Sequence, residues 1–269
     1  MSLNAVKILG INITISSKKE ILEEIKKRLN STEKSRSKAI TIVTPNPEQI
    51  VYATGDKRFA GILNRADVAI PDGIGVVWAH RILGGATPLV RIPGVELMDD
   101  LIGQARKQGV PVALIGGRRD LAVKTLERLQ QEYDGLKGVA LEFPEVKIEA
   151  GELQADRLDS LDENFRRIAG TLEQKRIRMI FVALGAPKQE YVIDRLAKLV
   201  ARFPYSMVLM SVGGSFDIIT GRTPRAPQFL RTFGLEWLWR LAREPWRWKR
   251  QGALVKFVWL VLQKRYTTK

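Results

Sequence analysis

The stretch Ala66-Asp67-Val68-Ala69-Ile70-Pro71-Asp72-Gly73 joins a short apolar run to a turn that carries one carboxylate. A short apolar run bounded by a turn is typical of a strand buried in a parallel sheet. In an open α/β fold, ligands bind at the carboxyl ends of the strands. Asp72 is therefore predicted to lie in a binding site, and the simpler alternative is that its side chain only bonds the backbone amides that follow it.

Polar or glycine-rich loops follow other apolar runs along the chain. Thr44-Pro45-Asn46-Pro47-Glu48 and Gly185-Ala186-Pro187-Lys188-Gln189-Glu190 are two of them, and Gly116-Gly117 and Gly213-Gly214-Ser215-Phe216-Asp217 are two more. Because parallel strands end at one edge of a sheet, we expect these loops to share a site with Asp72. The predicted strands are Val6–Ile15 (as one or two strands), Ala39–Val43, Val68–Ile70, Val110–Ile115, Val139–Phe143, Met179–Leu184 and Met207–Val212.

Amphipathic segments alternate with these runs. Ser17 and Glu20 fit a capping box at the start of the first one, which runs through Leu29. The alternation predicts an α/β fold, a mostly parallel sheet flanked by helices on both faces. Residues 144–157, rich in Glu and Gly, are predicted to be a surface excursion. The other predicted helices are Glu48–Leu63, Gly75–Leu83, Leu121–Tyr133, Leu158–Gln174 and Pro187–Ala201.

The composition excludes several kinds of chemistry. The 269 residues include no cysteine, so disulfides, thiol catalysis and cysteine-based metal sites are excluded. The one histidine, His80, cannot form a multi-histidine metal site, and we predict a packed, structural imidazole. We find no signal peptide and no run of 18 apolar residues, which favours a cytoplasmic protein.

Positive charge is concentrated near the C-terminus. The formal net charge is +15, and residues 222–269 contribute twelve Lys/Arg against two Glu, together with five of the six tryptophans. We therefore divide the chain into a body, residues 1–221, and a basic, Trp-rich helical appendage, residues 222–269. This charge favours an anionic partner, which is a nucleic acid, a phosphate-bearing substrate or an acidic lipid surface.

Familiar nucleotide-binding motifs are missing. Gly73-Ile74-Gly75-Val76-Val77-Trp78 begins like a dinucleotide fingerprint, but Trp78 stands at the third glycine position. The sequence has no GxxxxGK[ST] loop and no Asp-x-Asp pair. We therefore expect neither a nicotinamide site nor a carboxylate pair that grips a metal–nucleotide complex.

Short motifs in a characteristic order carry a family resemblance. From about residue 6 to 250 the sequence resembles the bacterial WecG/TagA/CpsF glycosyltransferases, which move a sugar from a UDP donor to a lipid-diphosphate-linked sugar at the cytoplasmic membrane face. The resemblance implies an inverting, metal-independent enzyme with a Rossmann-like fold and no cofactor. The motifs are Thr44–Glu48, Ala66–Asp67, Pro71–Gly73, Arg91-Ile92-Pro93-Gly94, Gly185–Glu190, Gly213–Asp217 and Gly234-Leu235-Glu236-Trp237-Leu238-Trp239-Arg240-Leu241.

The resemblance also assigns roles to individual residues. Asp72 would be the catalytic base, Thr44 and Gln189 would line the pocket, and Arg91 would act near the donor. An inverting transfer needs such a carboxylate to take the proton of the acceptor hydroxyl, and arginines suit a departing diphosphate. We expect N-acetylmannosamine as the sugar and polyprenyl-diphosphate-linked N-acetylglucosamine as the acceptor, with UDP-glucose or UDP-N-acetylmannosaminuronate as alternative donors. The tail residues expected near phosphates are Arg240, Arg247 and Arg250.

Simple structural roles compete with binding roles at several positions. Thr44 and Asn46 fit caps of the next helix, and Gln189 and Glu190 fit the first turn of a helix. Asp217 fits either a turn cap or a nucleotide contact. The phosphate-loop candidates, for which tight turns are the simpler explanation, are Gly116, Gly117, Gly213 and Gly214.

The tail has alternatives of its own. Ala253–Leu262 is too short to span a bilayer and, with basic flanks, suits a helix that lies in the interface of an anionic membrane. The alternatives are a helical pair docked on the body and a surface for homo-oligomerisation. Nucleic-acid binding by stacked tryptophans is the second functional class, but no RRM, KH or helix-turn-helix pattern supports it. We therefore expect a peripheral protein at the inner face of the cell membrane, with no nucleic-acid partner.

Overall fold

The computed structural model describes residues 3–31, 39–155, 161–232, 234–243 and 248–267. In the described chain, six strands form one parallel sheet, and two antiparallel hairpins lie outside it. The sheet strands are β3 (Ala39–Val43), β4 (Val68–Ala69), β5 (Val112–Gly116), β6 (Gly138–Leu141), β9 (Met179–Ala183) and β10 (Met207–Ser211). The hairpins are β1 (Ala5–Ile8) with β2 (Ile11–Thr14) and β7 (Val146–Glu149) with β8 (Glu152–Ala155).

The sheet order is β4-β3-β10-β9-β5-β6, and every neighbouring pair is parallel. Helices surround this sheet, and the fold prediction is confirmed. They are α1 (Lys18–Asn30), α2 (Pro47–Gly55), α3 (Lys57–Arg65), α4 (Ile74–Ile82), α5 (Gly94–Gln108), α6 (Leu121–Glu132), α7 (Leu161–Gln174), α8 (Lys188–Val200), α9 (Ser215–Ile219), α10 (Gln228–Thr232), α11 (Glu236–Arg243) and α12 (Trp248–Thr267).

Alternate residues of the central strands face two different apolar layers. Leu114 and Phe181 pack with α1, α5, α6 and α9, whereas their neighbours Ala113 and Ile180 pack with α7 and α8. These strand residues are all buried, because helices cover both faces. Helices therefore cover both faces of the sheet, and the carboxyl ends of its strands are left accessible.

Of three local predictions, one is wrong, one gains detail and one lies partly outside the described residues. One helix was predicted over residues 48–63, but two form, because Asp56 interrupts it and accepts a hydrogen bond from the Phe59 amide as the cap of α3. The excursion predicted at residues 144–157 contains the β7–β8 hairpin, whose Val146 is buried. The helix predicted from Leu158 is described from Leu161 onward, and its first residues lie outside the described chain.

The C-terminal helix α12 is docked on the body by one of its faces. Phe257 and Val261 are almost fully buried and join the core formed by α2, α3, α4 and the β1–β2 hairpin. On other faces of the helix, Val255, Trp259 and Tyr266 are exposed. The docked alternative thus holds for one face, and a membrane role for the exposed residues stays a prediction. In the described part of the chain, no helix is both long and apolar enough to cross a membrane.

Candidate active site

A cleft of about 1860 Å³ opens where the strands of the parallel sheet end. The loops after β3, β4, β5, β9 and β10 supply one part of its lining, including Thr44, Asp72, Gly117 and Gly185. The appendage supplies another part through α11 and α12, for example Trp237. Binding clefts for drug-sized ligands usually hold about 300–1,000 Å³, so this one has room for more than one substrate.

The turn that carries Asp72 is held by residues distant in sequence. The Gly94 amide donates a hydrogen bond to Asp72 Oδ1 at 2.8 Å. Gly94 also packs tightly on the preceding loop, since a Cβ there would lie 3.2 Å from Thr44 Cγ2. Gly73 and Gly75 pack on the Pro47 ring, since a Cβ would lie 3.2 Å from it at Gly73 and 2.8 Å from it at Gly75. The structure thus brings the loops of Thr44 and Asp72 together, as predicted, and the Asp72 carboxylate has at least one long-range anchor.

Arg91 connects this turn to the appendage. Its Nε donates to the backbone oxygen of Asp72 at 2.8 Å, and one of its terminal nitrogens donates to Glu236 Oε2, also at 2.8 Å. The other terminal nitrogen lies 3.4 Å from the Arg231 carbonyl oxygen. Arg91 lines the cleft, and in this arrangement its guanidinium bonds protein groups. Its action near the donor stays a prediction.

Gln189 and Glu190 form a buried pair at the start of α8. Gln189 Oε1 accepts a hydrogen bond from the Gly213 amide at 3.0 Å, and its Nε2 donates to Glu190 Oε1 at 2.8 Å. Glu190 is completely buried, and this burial raises the pKa of its carboxyl from 4.5 to about 7, although its hydrogen bond to Gln189 opposes the shift. Gln189 contributes to the cleft lining, whereas Glu190 lies beneath it and not on its wall.

The chain thus combines a parallel sheet, a Pro-Asp-Gly turn in the cleft and a docked basic appendage. The model of the family described as "Glycosyl transferase WecG/TagA/CpsF family" matches residues 6–269. The chain belongs to the WecG/TagA/CpsF family. It is a glycosyltransferase, and the resemblance seen in its motifs is confirmed.

Two relatives match most of this WecG/TagA/CpsF chain. A Bacillus spizizenii protein is 33% identical over 236 residues, covering 87% of this chain and 83% of its own length. A Bacillus subtilis protein is 32% identical over 228 residues, covering 85% and 81%. Both relatives are named N-acetylglucosaminyldiphosphoundecaprenol N-acetyl-beta-D-mannosaminyltransferase.

Capping and binding roles coexist at two polar residues of this family member. Asn46 Oδ1 accepts a hydrogen bond from the Gln49 amide and caps α2, as the structural alternative predicted, and Asn46 also lines the cleft. Asp217 lies in the first turn of α9 and lines the cleft too. A substrate contact by either residue stays a prediction.

The glycine turns have structural reasons of their own. Gly116 and Gly117 adopt φ angles of 89° and 82°, which favour glycine, and a Cβ at Gly116 would lie 2.6 Å from Leu184 Cδ2. The Gly117 amide donates to the Ala183 carbonyl at 2.8 Å, and the Gly213 amide is bonded by Gln189. These two amides are therefore engaged within the protein. A phosphate contact by either turn, Gly214 included, stays a prediction.

The structure describes only part of the three tail arginines expected near phosphates. Arg247 lies outside the described residues, and for Arg240 and Arg250 the structure describes the backbone in α11 and α12 but not the side chain. Their approach to a phosphate stays a prediction. Four other cationic residues line the cleft, although the sequence did not predict them there. They are Arg118, Arg119, Lys188 and Arg222.

His80 behaves as predicted for a structural histidine. It is buried, and its Nε2 lies 2.7 Å from the Thr87 carbonyl oxygen. In contrast, the sequence predicts no individual role for Gly94 or Glu236, although both belong to the family motifs. Gly94 reads as an ordinary turn glycine and Glu236 as an ordinary acid in the first turn of a helix, so only their long-range contacts reveal them.

Proposed function

We propose that this protein transfers N-acetylmannosamine from a UDP donor to polyprenyl-diphosphate-linked N-acetylglucosamine, with inversion and without a metal ion. The names of the two Bacillus relatives support this sugar and this acceptor. The observation that carries the proposal is the position of Asp72. It is a carboxylate in a large cleft, at the strand ends, beside the family motif Thr44–Glu48.

In the proposed reaction, Asp72 takes the proton of the acceptor hydroxyl while the oxygen of that hydroxyl attacks the anomeric carbon of the donor sugar. The new bond joins this oxygen to the anomeric carbon, and the bond between the anomeric carbon and the diphosphate oxygen breaks. UDP leaves with the bonding electrons. A base in this role contributes about 10²–10⁴ in rate.

Positive side chains around the cleft stabilise the negative charge that develops on the departing UDP. Arg118, Arg119, Lys188 and Arg222 all line it. Cations that line the site can stabilise a departing diphosphate, as a metal ion does in other enzymes. The lack of an Asp-x-Asp pair motivates the metal-independent form of the proposal. Arg240, Arg247 and Arg250 remain part of the proposal as further phosphate-binding residues.

The acceptor carries a long lipid, so we place the enzyme at the cytoplasmic surface of the membrane. The exposed residues Val255, Trp259 and Tyr266 of α12 are suited to the headgroup region, where tryptophan and tyrosine are enriched. The lysines and arginines of the appendage add attraction to anionic lipids. The family and the names of the relatives support a role in the synthesis of a cell-surface polymer.

The test is Asp72→Asn, assayed by UDP release with a short-chain analogue of the acceptor. We expect turnover to fall about 10²–10⁴-fold while UDP affinity, measured by calorimetry, is kept. Asp134→Asn is the matched control, because Asp134 is exposed and lies outside the cleft. Near-normal turnover of Asp72→Asn would remove Asp72 from the mechanism. Running the same assay with UDP-glucose and UDP-N-acetylmannosaminuronate tests the donor.

A further inference from the structure

The Arg91 guanidinium is shared between the Asp72 turn and the appendage. Nε bonds the Asp72 backbone oxygen, while the two terminal nitrogens face the Arg231 carbonyl and the Glu236 carboxylate. Because the guanidinium is planar and rigid, acceptors on different nitrogens are held in a fixed relative position. The appendage therefore contacts the Asp72 turn through one side chain.

We propose that Glu236 is a positioning residue that acts through Arg91 on Asp72, so that the candidate base is correctly placed only when α11 is seated. The inference rests on the proposed function of Asp72. Two anchors of Asp72 belong to the segment Arg91–Gly94, since Arg91 holds its carbonyl and the Gly94 amide holds its carboxylate. A shift of this segment is therefore expected to move the carboxylate.

The side chains of the Arg91–Glu236 pair are largely buried, so the loss of one partner should affect the other. The two side chains are only 18% and 14% exposed, whereas those of the Arg58–Glu152 pair are 55% and 67% exposed. A surface pair contributes little to stability, but removing one partner of a sheltered pair leaves a charge without its counterion in a poorly hydrated place. The loss of Glu236 should therefore displace the Arg91 guanidinium.

A second contact places α11 against the same turn. Gly234, just before α11, packs on Ile74, since a Cβ on Gly234 would lie 2.7 Å from the Ile74 Cβ. Ile74 is the first residue of α4 and comes two positions after Asp72. The start of α11 is therefore linked to the Asp72 turn at two points. Arg91 joins Glu236 to the Asp72 carbonyl, and Gly234 packs on Ile74.

The experiment compares Glu236→Ala, Glu236→Gln and the control Glu152→Ala in the UDP-release assay. For Glu236→Ala we expect kcat to fall about 10- to 100-fold, the scale of an error of about 1 Å in the placement of a catalytic group. The KM for the donor and the affinity for UDP should stay within about threefold of wild type. Glu236→Gln should recover most of kcat, because the amide oxygen can still accept from Arg91. Glu152→Ala should match wild type.

A double variant shows whether the effect passes through Asp72. If it does, adding Glu236→Ala to Asp72→Asn should lower the residual turnover by less than about twofold, because the group being positioned is already gone. Hydrogen exchange should also rise in Glu236→Ala in two separate peptides, residues 68–76 and 234–243. A rise in residues 234–243 alone, with kcat unchanged, would overturn the inference.

Two other results would overturn it in distinct ways. A rise in donor KM with unchanged kcat in Glu236→Ala would assign the pair to donor binding. Full additivity of Glu236→Ala with Asp72→Asn would show that Glu236 acts independently of Asp72. Failure of the proposed function is recognised separately, since in that case Asp72→Asn itself would turn over normally.

Discussion

Replacing Glu190 with glutamine should remove a large pH dependence of stability. The Glu190 carboxyl is completely buried at the start of α8, and its burial raises the pKa from 4.5 to about 7. The unfolded chain therefore loses this proton near pH 4.5, whereas the folded protein keeps it until about pH 7. Between these values the folded state binds more protons, so the free energy of unfolding falls as the pH rises.

The size of the effect follows from the shift. Each pKa unit corresponds to about 1.4 kcal/mol, so a shift from 4.5 to about 7 makes the folded protein about 3 kcal/mol less stable above pH 7 than below pH 4.5. Between pH 5 and pH 8 the wild type should lose about 2–3 kcal/mol through this one group. Glutamine has no charge to bury, and its side-chain oxygen can still accept from Gln189 Nε2. Glu190→Gln should therefore lack this loss.

The measurement is urea unfolding of both proteins at pH 5, 6, 7 and 8, followed by tryptophan fluorescence. The other titrating groups are common to both proteins, so they cancel in the difference between the two curves. Glu127→Gln, an exposed position on α6, is the matched control and should follow the wild type. If the stabilities of Glu190→Gln and wild type change in parallel across this range, the reasoning about the buried acid is refuted.

The remaining predictions concern packing, the appendage and metals. Gly85→Ala should destabilise the protein by about 1–3 kcal/mol in urea unfolding, because its Cβ would lie 2.1 Å from the buried His80 ring; an unchanged midpoint would contradict this. Phe257→Ala should lower the free energy of unfolding, measured in the same way, by about 3–5 kcal/mol, since the ring is buried. Trp259→Ser, at an exposed position on the same helix, should change stability by less than about 0.5 kcal/mol but weaken co-sedimentation with anionic vesicles; unchanged sedimentation would argue against a membrane role. Activity should survive EDTA, and recovery of an EDTA-inactivated enzyme by Mg²⁺ or Mn²⁺ would contradict the metal-independent mechanism.

Local patterns in the sequence were sufficient for the fold class and for the position of Asp72. Buried strands such as Ala39–Val43 are apolar runs, and the Pro-Asp-Gly turn after Val68–Ala69 follows from residue types that favour turns. The strand ends of a parallel sheet share an edge, so the neighbourhood of Thr44 and Asp72 could be predicted. The family was also evident from the order of its short motifs.

Local patterns were less reliable where one residue competes with a longer pattern. The apolar spacing of residues 48–63 predicts one helix, but the Asp56 side chain caps a new one. Gln189 and Glu190 both fit a first helical turn, and nothing in their spacing distinguishes the residue on the cleft from the acid beneath it. Both side chains are buried, and only the structure shows that Gln189 lines the cleft while Glu190 lies beneath it, where burial raises the pKa of its carboxyl.

The sequence by itself therefore determined the strands of the parallel sheet, most of the helices, the sheet type and the acid at the strand ends, because each depends on neighbouring residues, and it determined the family through the order of its motifs. Only the tertiary structure decided what holds that acid. Arg91 and Glu236 are 145 residues apart, and Asp72 and Gly94 are 22 residues apart. It also decided that Phe257 of α12 is buried while Trp259 is exposed. Such contacts depend on how folded elements meet in space, and the pairing of a distant acid, amide or ring leaves no periodic signal in the chain.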